Sequence, residues 1–490
     1  MPAAKHRVKA GRGLGAAAVT LTVVAVVMAA LVVAGVGPLR ATRAGGPGVG
    51  SPAGAAGPPQ GGATTGPAPA PVAATPPTVL AAPAVDAPLP VPDLLVARVA
   101  PSLAPARLGR AVGAMVADAS SGEVLLARGA DTPLTPASTT KLLTMAAVLE
   151  TLGPQARLLT RTVLGADPGQ VVLVGGGDPT LSVGPPVLPG AARLDTLAAA
   201  TAAALRQRGR TQVSLTVDDS LFTGPAVNPA WPAEYVPSGV VSPVAALAVN
   251  EGRGGLGGRR VSDPALVAGQ ALAAALSRAG ITVLGPVRHG RAPAGATELA
   301  GVSSPVLADL VEHTLTSSDD DLAEALVRQV AVRTSRPASF SGAAKAVLAV
   351  LGSLGVEVQG ITLYDGSGLS RLDTVTAAAL VEVLRLAASP QHPELRPLLT
   401  GLPVAGFSGT LADRFTAGSL VGAAGLVRAK TGTLTGVSAL AGTTIDAQGR
   451  LLVFAVLADQ VPVTQRARAA LDDFAAALTG CGCGSRTVAP

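Results

Sequence analysis

The alternation of apolar and polar positions changes period several times along the chain, and each change marks an element. Residues 13–39 carry no charge and contain the run "AAAVTLTVVAVVMAALVVAGVG", long enough to span a bilayer as a helix. Residues 41–93 lose all periodicity and are rich in Pro, Ala and Gly ("GSPAGAAGPPQGGATTGPAPAPVAATPP"). Such a segment cannot bury enough apolar surface to offset its ordering entropy, and it reads as a semi-extended spacer. Periodicity returns near residue 94. "VGAMVADASSGEVLLARGAD" (112–131) alternates into a Ser-Gly turn and out again, which predicts a β-hairpin. "PLTPASTTKLLTMAAVLETLG" (133–153) switches to helical spacing after Ser138. Two strands ("QVVLVGGGD" and "QVSLTVDD") and a helix ("DPALVAGQALAAALSRAG", 263–280) occupy the middle. "LTSSDDDLAEALVRQVA" (315–331) opens an amphipathic helix behind a Ser-Asp-Asp-Asp stretch. "RAKTGTLTGVSALAGTTIDAQGRLLVFAVLAD" (428–459) runs from a short K-T-G-T segment through Gly436 into an alternating strand, a turn and another strand.

At 490 residues the chain exceeds one ordinary core, so two or more domains are expected. The net charge of +6 suggests nucleic acid until it is located. Residues 1–43 carry Lys5, Arg7, Lys9, Arg12, Arg40 and Arg43 and no acid; removing these six from 37 basic residues leaves 31 against 31 acidic ones. The body is neutral, and aromatic residues make up only 2% of the chain, so no nucleic-acid partner is expected. Basic residues ahead of the apolar run favour a cytoplasmic N-terminus, a single-pass anchor in the cell membrane (1–40) and an exported body. The alternative is secretion after signal cleavage, disfavoured by the length of the run and the lack of an A-x-A site just after it. Export permits a disulfide between Cys481 and Cys483, although a Cys-x-Cys ring is tight. The four histidines stand in no metal spacing, and neither metal nor cofactor is expected.

Lysine usage points to chemistry. Of 37 basic residues only Lys5, Lys9, Lys141, Lys345 and Lys430 are lysine. Arginine does not lose its proton in a protein, whereas lysine does when desolvated or set beside another cation. Ser138 and Lys141 form S-x-x-K, one helical turn apart. On its own that motif is more simply read as a helix N-cap followed by a lysine. Lys430, Thr431 and Gly432 form K-T-G nearly 300 positions later, and Ser318 opens the stretch between them.

With three motifs in this order the chain resembles the penicillin-binding D-alanyl-D-alanine carboxypeptidase/endopeptidase family, the class C low-molecular-mass type of peptidase family S13. That family carries S-x-x-K, S-x-N and K-T-G. "GGGDPTLS" (175–182), "DDSLFTGP" (218–225), "YDGSGLS" (364–370) and "LPVAGFSGTLADRF" (402–415) are further similar stretches, and the likeness covers roughly 95–480. It implies an α+β fold: a serine β-lactamase/transpeptidase-like catalytic domain at 94–155 and 301–484, an antiparallel sheet flanked by helices, interrupted by an inserted domain at 156–300. It also implies peptidoglycan stem peptides as substrate and β-lactams as covalent inhibitors.

The roles follow from what acyl transfer requires. Ser138 needs a base within reach, and no motif places a histidine there. Lys141 takes the serine proton, helped by like-charge repulsion from a Lys430 ammonium. Ser318 relays it to the leaving amine, Lys430 and Thr431 hold the terminal carboxylate, and the amides of Ser138 and Thr433 form the oxyanion hole. One departure stands out: Asp320 occupies the asparagine position of S-x-N, and the chain's only asparagines are Asn228 and Asn250. An aspartate there either pairs with Lys141 and weakens it as a base, or merely serves a helix N-terminus with Asp319 and Asp321. An active D,D-carboxypeptidase is the leading expectation. A wall-binding relative impaired at Asp320 is the second. A serine β-lactamase is the third, lacking any Glu-x-x-x-Asn deacylation element.

Overall fold

A computed structural model describes residues 86–254 and 258–482. Eleven strands appear among them: β1 (Ala111–Asp118), β2 (Val124–Arg128), β3 (Leu159–Leu164), β4 (Gln170–Val174), β5 (Gln212–Asp218), β6 (Thr282–Val283), β7 (Arg288–His289), β8 (Glu298–Ser303), β9 (Arg428–Leu434), β10 (Val437–Ile445) and β11 (Leu451–Asp459). The first sheet has the order β2-β1-β11-β10-β9 and every neighbouring pair is antiparallel. The expected hairpin at 112–131 is β1 and β2. The first and last of the described strands meet in this sheet, with Ala114 opposite Val456, and β10 pairs with β9, with Ala441 opposite Lys430.

The strand after Gly436 is not half exposed as its pattern implied. β10 is buried at every position but its last, and β11 at every position but its ends. The reason is a layer on each face. Leu440, Leu452, Phe454 and Val456 pack toward the helices Pro92–Val99 and Thr464–Thr479. Ala439, Ala441, Val453, Ala455 and Leu457 face a larger core built from the helices Thr140–Leu152, Leu307–Ser317, Asp320–Arg333, Phe340–Ser353 and Ala377–Ala388. Alternation survives in which core each residue enters, not in wet versus dry.

A second sheet, β6-β5-β4-β3-β8, is mixed: β3 pairs antiparallel with β4 and β8, while β5 is parallel to β4 and β6. The helices Leu194–Gln207 and Pro264–Arg278 cover it around their own core of Val171, Leu173, Leu215, Val217, Leu197 and Leu272. β8 runs to Ser303, past the expected junction at 300/301. The loops that follow β5 leave this sheet, and Trp231, Val241 and Val244 join the larger core.

The expected membrane span at 13–39, nearly all of the spacer, and Cys483 lie outside the described residues. Among those described, no helix is long and apolar enough to cross a membrane. Cys481 is fully buried just beyond the last helix.

Candidate active site

Ser138 sits in a single 3-10 turn, Ala137–Thr139, that leads directly into the helix Thr140–Leu152. It makes no capping bond to that helix, so the N-cap reading fails. The turn is held in an unfavourable shape. Ala137 is buried with φ +48°, a region that costs a non-glycine residue of order 1–3 kcal/mol and persists only when neighbours enforce it. Two glycines do the enforcing by close approach. A Cβ on Gly432 would stand 2.5 Å from the Pro136 carbonyl oxygen, and one on Gly368 would stand 2.0 Å from that of Ala137. The glycine of K-T-G therefore lets β9 lie against the serine turn.

The helix behind Ser138 is buried on all sides from Thr140 to Leu149. Lys141 goes in with it, 0% exposed, and Nζ has three acceptors: Ser138 Oγ at 3.1 Å, Asp320 Oδ1 at 2.6 Å and the Ser367 carbonyl at 2.8 Å. Three acceptors match the three protons of an ammonium. Lys430, also 0% exposed, donates to Ser318 Oγ at 2.9 Å and to the Thr431 carbonyl at 3.0 Å. Burial, and then the charge of Lys141, push Lys430 well below the ordinary lysine range. Lys141 has an anionic partner in Asp320, whereas the hydrogen-bond partners of Lys430 are neutral oxygens.

Ser318 ends the helix Leu307–Ser317 in the left-handed region (φ +59°), and the next helix starts at once. The three acidic residues there divide the alternatives among themselves. Asp319 is the N-cap, accepting from Leu322 N at 2.8 Å. Asp321 turns away, accepting from Ser242 N at 2.6 Å and pairing with Arg260. Asp320 alone faces Lys141, its side chain 19% exposed. Burial raises its carboxyl against the pull of Lys141. The helix-terminus reading holds for Asp319, and not for Asp320 or Asp321.

Behind the site lies a support absent from the sequence reading. The Asp320–Arg333 helix is buried from Asp321 to Ala331, so its polar face points inward and the expected amphipathic face has no water to meet. Glu324 accepts from Gly366 N at 2.9 Å and Ser367 N at 2.8 Å, which fixes the carbonyl that Lys141 uses. Burial, and then the charge of Asp365, raise Glu324 to about 8. Asp365 accepts from Gly368 N at 2.7 Å, Ser370 N at 2.7 Å and Trp231 Nε1 at 2.6 Å. Arg328 is sandwiched between Phe222 and Phe340 and donates to the Thr223 and Ala338 carbonyls. The stretches "YDGSGLS" and "DDSLFTGP" carried the sequence signal for this network, as family-like segments without a role. Thr433 is exposed near the end of β9, and Thr431 Oγ1 meets Thr410 Oγ1 at 2.8 Å. The described histidines pair elsewhere: His289 with Asp263, His392 with Glu394, and His313 beside Asp319.

The D-Ala-D-Ala carboxypeptidase 3 (S13) family matches residues 95–257 and 255–478, both halves of the chain around this site. The chain belongs to that family. Among its relatives, a carboxypeptidase of Mycobacterium tuberculosis is 42% identical over 388 residues, covering 77% of this chain and 81% of its own. Carboxypeptidase DacB of Mycolicibacterium smegmatis is 40% identical over 86% of this chain and 90% of its own. The crystal structure of penicillin-binding protein 4 from Haemophilus influenzae superposes with a TM-score of 0.65 at 22% identity, over 77% of this chain and 97% of that one. This S13 chain thus shares the fold of that protein.

Proposed function

We propose that this S13 protein is a serine-type D-alanyl-D-alanine carboxypeptidase/endopeptidase that cleaves peptidoglycan stem peptides through an acyl-enzyme on Ser138. The observation that carries the reading is the convergence of two buried lysines on two serines, Lys141 on Ser138 and Lys430 on Ser318. Relatives named carboxypeptidase at about 40% identity support it. Ser138 Oγ attacks the carbonyl between the two D-alanines while its proton passes to Lys141. Lys141 accepts in its unprotonated form, which the Asp320 carboxylate 2.6 Å away disfavours by pairing with the ammonium. Ser318, held by Lys430, relays the proton taken up by Lys141 to the departing amine nitrogen, the C–N bond breaks, and D-alanine leaves. Lys430 and Thr431 bind the terminal carboxylate, with Gly432 giving β9 its close approach. The amides of Ser138 and Thr433 stabilise the oxyanion, a contribution of about 3–4 kcal/mol per donor. Water then hydrolyses the ester by the reverse proton path.

The domain reading belongs to the same proposal: a transpeptidase-like catalytic domain at 94–155 and 301–484, carrying the antiparallel sheet, with the mixed sheet inserted between its halves. β-Lactams act as covalent inhibitors. A second crystal structure of the H. influenzae protein is a β-lactam complex. The three-acceptor shell of Lys141 favours one competing reading, a wall-binding relative impaired at Asp320 that binds muropeptide without hydrolysing it. Fluorescent penicillin followed by peptide mapping tests the site assignment. Label on Ser138 that disappears in Ser138→Ala is expected; label on a peptide lacking Ser138 overturns it.

A further inference from the structure

The segment 402–415, "LPVAGFSGTLADRF", has no part in the acyl transfer described above. Its backbone is tied to the approach to β9 by bonds from Ala405 N to Val427 O (3.0 Å), Gly425 N to Ala405 O (2.9 Å) and Ala429 N to Pro403 O (2.9 Å). On the other side it presses on the helix that ends at Ser318. Gly409 has φ +56°, and a Cβ there would stand 2.3 Å from the Thr316 carbonyl oxygen. The next residue, Thr410, is thereby fixed between the Ser318 corner and the K-T-G strand, with Oγ1 2.8 Å from Thr431 Oγ1. Among the described residues this is the one side-chain hydrogen bond of either threonine.

A threonine hydroxyl has one proton and two lone pairs. Of two hydroxyls in contact, one donates and the other keeps its proton for a third group. If Thr431 donates to Thr410, a carboxylate arriving at Thr431 meets only oxygen lone pairs. If Thr410 donates, the Thr431 proton is free for the anion, and the donated bond polarises it further. We propose that Thr410 is a positioning residue for carboxylate recognition: it donates to Thr431 Oγ1 so that Thr431 donates to the substrate's terminal carboxylate. The proposal rests on the reading of the site given above and adds a specificity element to it.

Acylation by benzylpenicillin, which carries a carboxylate, and by its methyl ester separates this role from a structural one. Thr410→Val is expected to slow acylation by benzylpenicillin about tenfold, the loss of roughly one hydrogen bond, while the ester rate stays within about twofold of wild type. Thr410→Ala should show the same split, and Thr410→Ser should restore the benzylpenicillin rate. An equal fall for both compounds in Thr410→Val and Thr410→Ala, or no fall for either, overturns the proposal. A wild-type protein acylated by neither compound overturns the reading of the site itself, and the role of Thr410 with it.

Discussion

Lys141 has three protons to give as an ammonium and three oxygens to receive them, and one of those oxygens belongs to Asp320. An asparagine at 320 would offer a neutral carbonyl instead. Asp320→Asn removes an anion that stabilises protonated Lys141, so the free amine becomes available at lower pH. Acylation by one penicillin should rise several-fold, and the acid limb of its pH–rate profile should move lower. An unchanged profile at equal thermal stability would mean that Asp320 does not govern the base. Lys141→Arg keeps the charge and the hydrogen-bond donors but cannot take the serine proton. It should lose nearly all labelling, and full labelling would sink the proton-acceptor role. The sequence isolated both residues, one by the rarity of lysine and the other by its departure from S-x-N. It did not indicate which lysine is driven toward neutrality, because that depends on which of them has an anion in contact.

Among the elements, the Asp320–Arg333 helix shows how far periodicity reaches. Its spacing predicts a helix, and a helix forms. Its Glu324, Arg328 and Gln329 read as a solvent face but serve loops from distant parts of the chain: Gly366 and Ser367, Thr223, and Gly176. Those partners are long-range, so no local pattern reports them. β10 and β11 taught the same lesson, since two-sided burial depends on layers contributed from elsewhere. Glu324 makes the consequence measurable. Its native carboxyl titrates at about 8 against an ordinary value of 4.5, so between those values the unfolded chain releases a proton that the native state retains. Ionisation therefore favours unfolding, and this residue's contribution to stability falls as pH rises through that window. Glu324→Gln, a neutral isostere, removes the slope. The melting temperature of wild type relative to Glu324→Gln should drop by several degrees between pH 5 and pH 8. A constant difference would contradict a protonated Glu324.

Across the whole molecule, the antiparallel sheet closes the chain on itself through β1 and β11, so the serine turn and the K-T-G strand come together only when both ends are in place. Motif order and spacing made this legible. The separation of 177 positions from Lys141 to Ser318 motivates the proposed insertion, and β8 carries the mixed sheet to Ser303, slightly past the expected junction. The uncharged run at 13–39 and the basic residues before it support an anchored, extracytoplasmic body. Protease added to intact spheroplasts should digest residues 94–490, and protection of the body would reverse that topology. The central claim is turnover at Ser138, and the most direct measurement is D-alanine release from a peptide ending in D-Ala-D-Ala. The account predicts one D-alanine per peptide, blocked by stoichiometric penicillin and abolished in Ser138→Ala. Release that persists in Ser138→Ala, or no release from a protein whose Ser138 takes up penicillin, would contradict it.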